Sequence, residues 1–218
     1  MNVKEIYRVL YSDMGDLGWW PAESPDEVVI GTVLTQNTSW KNVEKSLEKL
    51  RESGMMSLRR ISEADVENLS LLIKSSGFYN QKSMRLKDLA SRIVERYGSV
   101  GMMSMDRTDS LAEFLKNIKG VGQETMDSIL LYALEKPVFV IDKYTERVFS
   151  RVGVLDSGMT AGDFRDITPV DLDHDVGKLK NFHGMIVQLA KEHCKKEPLC
   201  EGCPLSGNCR YYTEVMLP

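Results

Sequence analysis

Cysteine is absent from most of this chain, and a long apolar run is absent from all of it. The first residues, MNVKEIYRVLYSDMGD, carry charge throughout and lack the apolar segment of a signal peptide. No apolar run approaches the roughly 18 residues of a membrane-spanning helix. In our interpretation these absences exclude a secreted or membrane-spanning protein, and we expect a cytoplasmic protein without a membrane partner.

An excess of positive charge is also missing. The formal net charge is −4, and the isoelectric point is near 5.5. This balance counts against a protein that coats nucleic acid non-specifically. It leaves a local basic face open, because phosphate contact depends on where the lysines and arginines lie.

Few segments alternate with period two, and helical periodicity dominates instead. Apolar residues recur at spacings of three and four in Asn2–Met14, for example. Ser24 and Pro25 predict an N-cap followed by proline at the first helical position. The acidic stretch from about Gly153 to Val176 has no clear period, which predicts a loop or a broken helix. We therefore predict an all-α fold.

All four cysteines fall near the end of the sequence, at Cys194, Cys200, Cys203 and Cys209. Their spacing, C-x5-C-x2-C-x5-C, gathers four thiols into a loop too short for a hydrophobic core of its own. An iron–sulfur cluster, a tetrahedral zinc site and two disulfides are the competing interpretations. Disulfides do not persist in a reducing cytosol. Zinc usually takes two close pairs where this chain has one, whereas cubane clusters accept uneven spacings.

A glycine hairpin is the most informative internal segment. Gly120-Val121-Gly122 separates the helical patterns Leu111–Ile118 and Glu124–Leu134. Glycines there permit a tight turn and a close backbone approach, and the next helix N-terminus suits an anion such as phosphate. A turn that binds nothing is the plain alternative, because the triplet alone is a weak signal.

The apolar run Val138–Ile141 leads into Asp142 at the start of a further predicted helix. An aspartate in that position is commonly only an N-cap. Taken with the hairpin and the cysteine loop, however, the set resembles the helix-hairpin-helix DNA glycosylases of the endonuclease III superfamily. The segment Ile73–Lys82, IKSSGFYNQK, is similar to that family's G-x-Y-N-x-K turn.

The resemblance implies two helical domains that flank a DNA-binding and active-site cleft. We expect a six-helix barrel over residues 22–134 and a discontinuous second domain over 1–21 plus 135–218. It also implies that Asp142 is catalytic, that the four cysteines bind a [4Fe–4S] cluster, and that the hairpin takes a monovalent cation. The expected partner is double-stranded DNA with a damaged base, bound by a monomer at a prokaryotic nucleoid.

Strand-cutting members of the family carry a lysine two residues after the second hairpin glycine, where this chain has Glu124. A carboxylate cannot form an imine with the sugar, so we expect hydrolysis of the N-glycosidic bond without lyase chemistry. Asp142 would then stabilise positive charge on the sugar, or orient or deprotonate water.

All three tryptophans fall in two short segments. Core packing is the ordinary explanation for an isolated tryptophan. The combination W-W-P with T-Q-N-T-x-aromatic resembles the 3-methyladenine DNA glycosylase III proteins, where these residues sandwich the alkylated base. The matching base-pocket residues are Trp19, Trp20, Pro21 and Trp40. Aromatic rings attract a cationic base by about 0.5–2 kcal/mol.

Further residues are predicted to contact DNA. Asn37, or alternatively Gln36, would fill the gap that the flipped base leaves, although both amides could simply cap a helix. The remaining predicted DNA contacts are Gly120, Val121, Gly122, Thr125, Lys82, Lys195, Lys196 and Arg210. A solvated charge cluster is the alternative for the last three.

The leading hypothesis is a monofunctional glycosylase of base excision repair that acts on alkylated purines such as 3-methyladenine. The enzymatic alternative is a thymine/uracil mismatch or oxidised-base glycosylase, which would need hydrogen bonds to a base edge. The non-enzymatic alternative is a DNA-damage-binding module, against which an intact Asp142 argues.

Overall fold

The computed structural model describes residues 1–154 and 160–216. Within these residues the chain forms helices and no strands, which confirms the all-α prediction. None of the described helices combines the length and apolar character that crossing a membrane requires. In chain order the α-helices are α1 Val3–Met14, α2 Pro25–Thr35, α3 Trp40–Glu52, α4 Leu58–Glu63, α5 Val66–Leu72, α6 Tyr79–Tyr97, α7 Val100–Met103, α8 Thr108–Lys116, α9 Gln123–Ser128, α10 Lys143–Val152, α11 Ala161–Asp171 and α12 Val176–Glu192.

The chain divides into two compact units. The first combines both ends of the sequence, Met1–Pro21 and Pro137–Pro218, and the second is the continuous segment Ala22–Lys136. The first unit therefore contains α1, α10, α11 and α12, and the second contains α2 to α9.

In the second unit, helix α2 lies at the centre and α6 is the longest helix. Ser24 caps α2 by accepting a hydrogen bond from the Glu27 N–H at 3.2 Å, and Pro25 occupies the first turn as predicted. Residues Glu27–Leu34 are all buried, so α2 is surrounded by its neighbours. A π-helical turn, Ile129–Ala133, follows α9 directly and packs against α2.

In the first unit, α12 packs against both α1 and α10. The core contains a cluster of phenylalanines in which Phe139 and Phe182 stack with ring centroids 5.4 Å apart. Phe149 meets Phe164 edge-on at 5.3 Å, which brings α10 and α11 together. Each such ring buries a large apolar surface.

Helix α11 corrects part of the sequence prediction for the acidic stretch. Thr160 and Asp163 form a reciprocal capping box that starts the helix, and Pro169 lies inside it. The helix ends at Asp171, soon after the proline removes a backbone donor. Residues 155–159 of the predicted loop lie outside the described residues.

Candidate active site

Asp142 is the N-cap of α10 in the first unit. Its Oδ1 atom accepts hydrogen bonds from the Thr145 N–H at 2.7 Å and the Thr145 hydroxyl at 3.0 Å. The preceding residues Phe139 and Val140 are buried, so the apolar run that leads into Asp142 is held in the core of the first unit. The capping role that the sequence allowed is present, and it uses only one carboxylate oxygen.

The second oxygen of Asp142 faces a histidine. The His183 Nε2 atom of α12 lies 3.5 Å from Asp142 Oδ2, and the two side chains are only 6% and 12% exposed. Burial by itself raises the pKa of Asp142, but hydrogen bonding and charge from His183, together with the Thr145 hydrogen bonds, lower that pKa below its ordinary value overall. The carboxylate is therefore held ionised in a nearly dry position.

Trp19 is packed onto α12 in the same unit. A Cβ atom on Gly184 would lie 2.6 Å from the Trp19 Cβ and Cγ atoms, so glycine is what permits this contact. The Lys191 ammonium lies 5.5 Å from the centroid of the Trp19 ring. The Lys191 ammonium and the backbone of α12 at Gly184 therefore already lie against Trp19. Trp20 is half-buried and Pro21 is exposed.

The cysteine loop is attached to α10 by two arginines one helical turn apart. Arg147 Nε donates to the Cys194 carbonyl at 2.7 Å. Arg151 donates to the Cys194 sulfur at 3.4 Å and to the carbonyls of Lys195 and Lys196. The loop begins where α12 ends, so it joins the C-terminal ends of α10 and α12.

The four thiols form no disulfide with one another. Burial raises the pKa values of Cys200 and Cys203, and the charges of the other cysteines add to that effect. Within residues 1–154 and 160–216, no three potential ligands converge as they would on a single metal ion. Four cysteine thiols on one short loop are the donor type that an iron–sulfur cluster takes, and the sequence spacing is the argument for one.

In the second unit, the hairpin is braced by side chains from two helices. Gly120 has a φ of +91°, and a Cβ atom there would lie 2.5 Å from the Arg85 Cδ atom. The Gln36 amide donates to the Gly120 carbonyl at 3.1 Å and to the Thr125 hydroxyl at 3.0 Å. Thr125 is only 7% exposed and its hydroxyl is bonded to Gln36, so its predicted contact with DNA stays a prediction. The side-chain amide of Gln36 is therefore used in these two contacts with the hairpin.

Lys82 is also turned inward. Its side chain is 2% exposed, and its Nζ atom donates to the carbonyls of Leu34 and Ser76, both at 2.7 Å. Its ammonium is therefore used inside the protein in this structure, and a DNA contact by Lys82 stays a prediction. Its structural effect is to tie the end of α2 to the turn that precedes α6.

Two side chains near this tie point outward. Asn37 follows α2, is exposed, and has a φ of +54°. Phe78 precedes α6, is 68% exposed, and has a φ of +45°. Because Lys82 joins Leu34 to Ser76 and Gln36 joins α2 to the hairpin, Asn37, Phe78 and the hairpin share one edge of the second unit. Sequence reasoning missed Phe78, although the G-x-Y-N-x-K match passes through it.

The remaining predicted residues lie on the surface or at its margin. In the hairpin, Gly122 and Glu124 are exposed, and Val121 is half-buried. At the cysteine loop, Lys195 and Lys196 are exposed, as is Arg210, whose Nε atom lies 3.6 Å from Glu214. Trp40 is half-buried at the first position of α3.

Known proteins resemble this chain over most of its length. The family model for HhH-GPD superfamily base excision DNA repair proteins matches residues 30–169. A candidate DNA repair glycosylase of Methanocaldococcus jannaschii is 42% identical over 210 residues, which are 95% of each chain. Endonuclease III of Thermotoga maritima is 33% identical over 192 residues, 86% of this chain and 84% of that protein.

Among solved structures, H. pylori 3-methyladenine DNA glycosylase bound to 1,N6-ethenoadenine superposes with a TM-score of 0.74 at 30% identity. The superposition covers 88% of this chain and 98% of that chain.

Proposed function

The chain belongs to the HhH-GPD superfamily of base excision DNA repair proteins, and on that premise we propose that it is a DNA N-glycosylase without lyase activity. Its proposed substrates are alkylated purines such as 3-methyladenine. The observation that carries the proposal is the Asp142 carboxylate, which is nearly buried and has a lowered pKa.

The chemistry follows from the charge of the substrate base. An N3-alkylated adenine is cationic, so it leaves as a neutral base when it takes the electron pair of the glycosidic bond. The sugar then carries positive charge, which an ionised carboxylate stabilises. Water adds to the sugar carbon and gives up its proton, for which Asp142 is the proposed acceptor.

Glu124 supports hydrolysis over strand cleavage. It occupies the motif position at which an amine would form a Schiff base, and a carboxylate has no such chemistry. Similarity to endonuclease III favours an oxidised-base substrate as the second candidate. The absence of that amine is the reason we prefer the monofunctional reaction.

For the base itself we propose stacking on Trp20, Pro21 and Trp40. We assign Trp19 a supporting role, because Lys191 and the backbone at Gly184 already lie against it. The similar H. pylori enzyme, a 3-methyladenine DNA glycosylase bound to 1,N6-ethenoadenine, supports a purine substrate. Stacking on rings with few edge contacts selects charge and shape more than base identity.

For DNA contact we propose the hairpin residues Gly120–Gly122, with Asn37 and Phe78 as the side chains that enter the gap. An exposed aromatic ring of this kind is what DNA-bending proteins insert between base steps. We further propose phosphate contacts from Lys195, Lys196 and Arg210, which lie outward on the cysteine loop.

The cysteine loop is the proposed ligand set for a [4Fe–4S] cluster, whose role here is to order the chain. Cys194, Cys200, Cys203 and Cys209 would each bind through sulfur. Purified protein should show an absorbance band at about 400 nm together with bound iron and sulfide. Stoichiometric zinc in a colourless protein would reject the cluster.

The reaction is tested with methylated duplex DNA and with duplexes that carry G·T, G·U or thymine glycol. We expect release of free 3-methyladenine, no strand scission, and no product trapped by borohydride. Asp142→Asn should lose base release by about 100-fold or more while DNA affinity is kept. Full activity in that variant would remove the catalytic assignment, and a trapped covalent product would remove the monofunctional one.

A further inference from the structure

We propose that His183 is the positioning residue of Asp142, and that it holds the Oδ2 atom of the carboxylate in a single orientation for the reaction. This inference rests on the proposed catalytic function of Asp142. It assigns to α12 a part in the active site beyond that of a helix leading to the cysteine loop.

The two oxygens of Asp142 have separate surroundings. Oδ1 is used by the helix cap, through the Thr145 N–H and hydroxyl. Capping makes no demand on Oδ2, yet a buried imidazole nitrogen lies 3.5 Å from it. Capping of α10 therefore does not account for the position of His183 beside this oxygen.

The imidazole is itself fixed from several sides. His183 is 4% exposed, and its ring meets Phe139 edge-on with centroids 6.3 Å apart. The next residue of α12, Gly184, lies directly beneath Trp19. Phe139 also belongs to the apolar run that leads into Asp142, so one packed cluster places both partners.

The contacts of Asp142 with Thr145 and His183 favour a carboxylate that stays ionised and keeps one orientation. With Oδ1 anchored, rotation of the carboxylate moves Oδ2, and a proton on the neighbouring His183 Nε2 atom would oppose that rotation. An electrostatic contact in a nearly dry site is stronger than the same contact in water. The distance of 3.5 Å is at the outer limit of a hydrogen bond, and such contacts commonly tighten when substrate binds.

The first test needs no catalytic activity. The chain has three histidines, His174, His183 and His193, so protein labelled with ¹⁵N-histidine gives few ring signals, and His183→Gln identifies those of His183. At one fixed pH, Asp142→Asn should shift the ring ¹⁵N signals of His183 and leave those of the other two in place. Unchanged His183 signals would overturn the pairing.

The second test separates positioning from packing. His183→Leu keeps side-chain volume without a donor, and His183→Gln restores an N–H donor. Under single-turnover conditions with saturating enzyme, we expect His183→Leu to slow base release by about tenfold to 100-fold, with most of the rate recovered in His183→Gln. Affinity for a duplex with a tetrahydrofuran abasic analogue should change by less than about twofold, since binding is not the step affected.

His174→Gln is the matched control, because His174 is exposed between α11 and α12. Equal losses in the Leu and Gln variants, or a wild-type rate in the Leu variant, would overturn the inference and leave the proposed function standing. If wild-type protein releases no base, the proposed function fails, and the labelling experiment still decides whether the pair exists. The labelling experiment also tests the pairing of His183 with Asp142 if His183→Leu does not fold.

Discussion

At the scale of single residues, Lys82 makes stability depend on pH. Burial lowers the pKa of its ammonium from 10.5 to about 8. Below pH 8 the folded and unfolded states both keep the proton, and the cost of burying the charge is present in full. Between pH 8 and 10.5 the folded state loses the proton first, so the free energy of unfolding should rise with pH. The neutral amine still has two N–H donors for the two carbonyls.

This rise is measured by denaturant unfolding at pH 7.0 and pH 9.5, conditions chosen to bracket the lowered pKa. We expect wild-type protein to gain up to about 2 kcal/mol relative to Lys82→Met, which has no titrating amine. The difference between the two proteins removes the contributions of other groups that titrate in this window. A constant difference across the window would show that the pKa of Lys82 is not lowered.

Residue spacing gives positions along the chain better than it gives the direction of side chains. Asp142 and the cysteines were singled out because their motifs fix such positions. Lys82 and Thr125 are buried in the structure, and a motif does not say whether a side chain faces inward. His183 was missed since it meets Asp142 only through the packing of α12 on α10, a long-range contact that no local pattern encodes.

At the scale of elements, the two hairpin glycines offer a matched pair of substitutions. Gly120→Ala places a side chain at φ +91° and against Arg85, whereas Gly122→Ala has a φ of −84° and nothing within 4 Å. We expect Gly120→Ala to lower the free energy of unfolding by about 1–3 kcal/mol, and Gly122→Ala by less than about 0.5 kcal/mol. Thermal or denaturant unfolding measures both, and equal effects would contradict the strain argument.

The cysteine loop yields a second prediction at this scale. Arg151 bonds the Cys194 sulfur and two loop carbonyls, and its guanidinium lies 5.0 Å from the centroid of the Tyr211 ring. If the loop holds a cluster, Arg151→Gln should speed the loss of the band at about 400 nm under a chelator by several-fold, because the loop opens more readily. Arg107→Gln, a change at an exposed arginine of the second unit, is the control. Equal bleaching rates in Arg151→Gln and Arg107→Gln would count against the prediction that Arg151 keeps the cysteine loop closed.

Helices with repeated apolar spacing were predictable, and α11 shows where that signal fails. Its acidic composition and Pro169 favoured a loop, whereas the capping box at Thr160 and burial of Phe164 stabilise a helix. A proline near the C-terminal end of a helix removes only one backbone bond, so tertiary packing outweighs it.

At the scale of the whole molecule, the first unit is built from both ends of the sequence and depends on contacts between them. Helix α12 provides several of these contacts within a few residues: Asn181 binds the N-terminal segment, His183 faces Asp142, and Gly184 receives Trp19. The proposed catalytic carboxylate and a tryptophan of the N-terminal segment are thus placed by one helix. Sequence periodicity predicted the helix, but not the partners on its faces.

Asn181 is the direct test of that dependence. Its Oδ1 atom accepts from the Leu17 N–H and its Nδ2 atom donates to the Gly15 carbonyl, each at 2.9 Å, and the residue is 5% exposed. Asn181→Leu removes both partners from backbone groups that are partly buried, so we expect a loss of about 2–4 kcal/mol in the free energy of unfolding. Asn181→Asp keeps the acceptor for Leu17 and loses the donor for Gly15, which separates the two bonds.

Urea unfolding followed by circular dichroism gives these free energies, and proteolysis of the native protein reports local opening of the N-terminal segment. We expect faster cleavage within residues 15–21 in Asn181→Leu than in wild-type protein, because the amide tie holds this segment on α12. If Asn181→Leu is as stable and as protected as the wild type, the packing of α1 and of Trp19 on α12 is enough to join the two ends of the chain. In that case the tryptophan segment would not depend on Asn181 for its position.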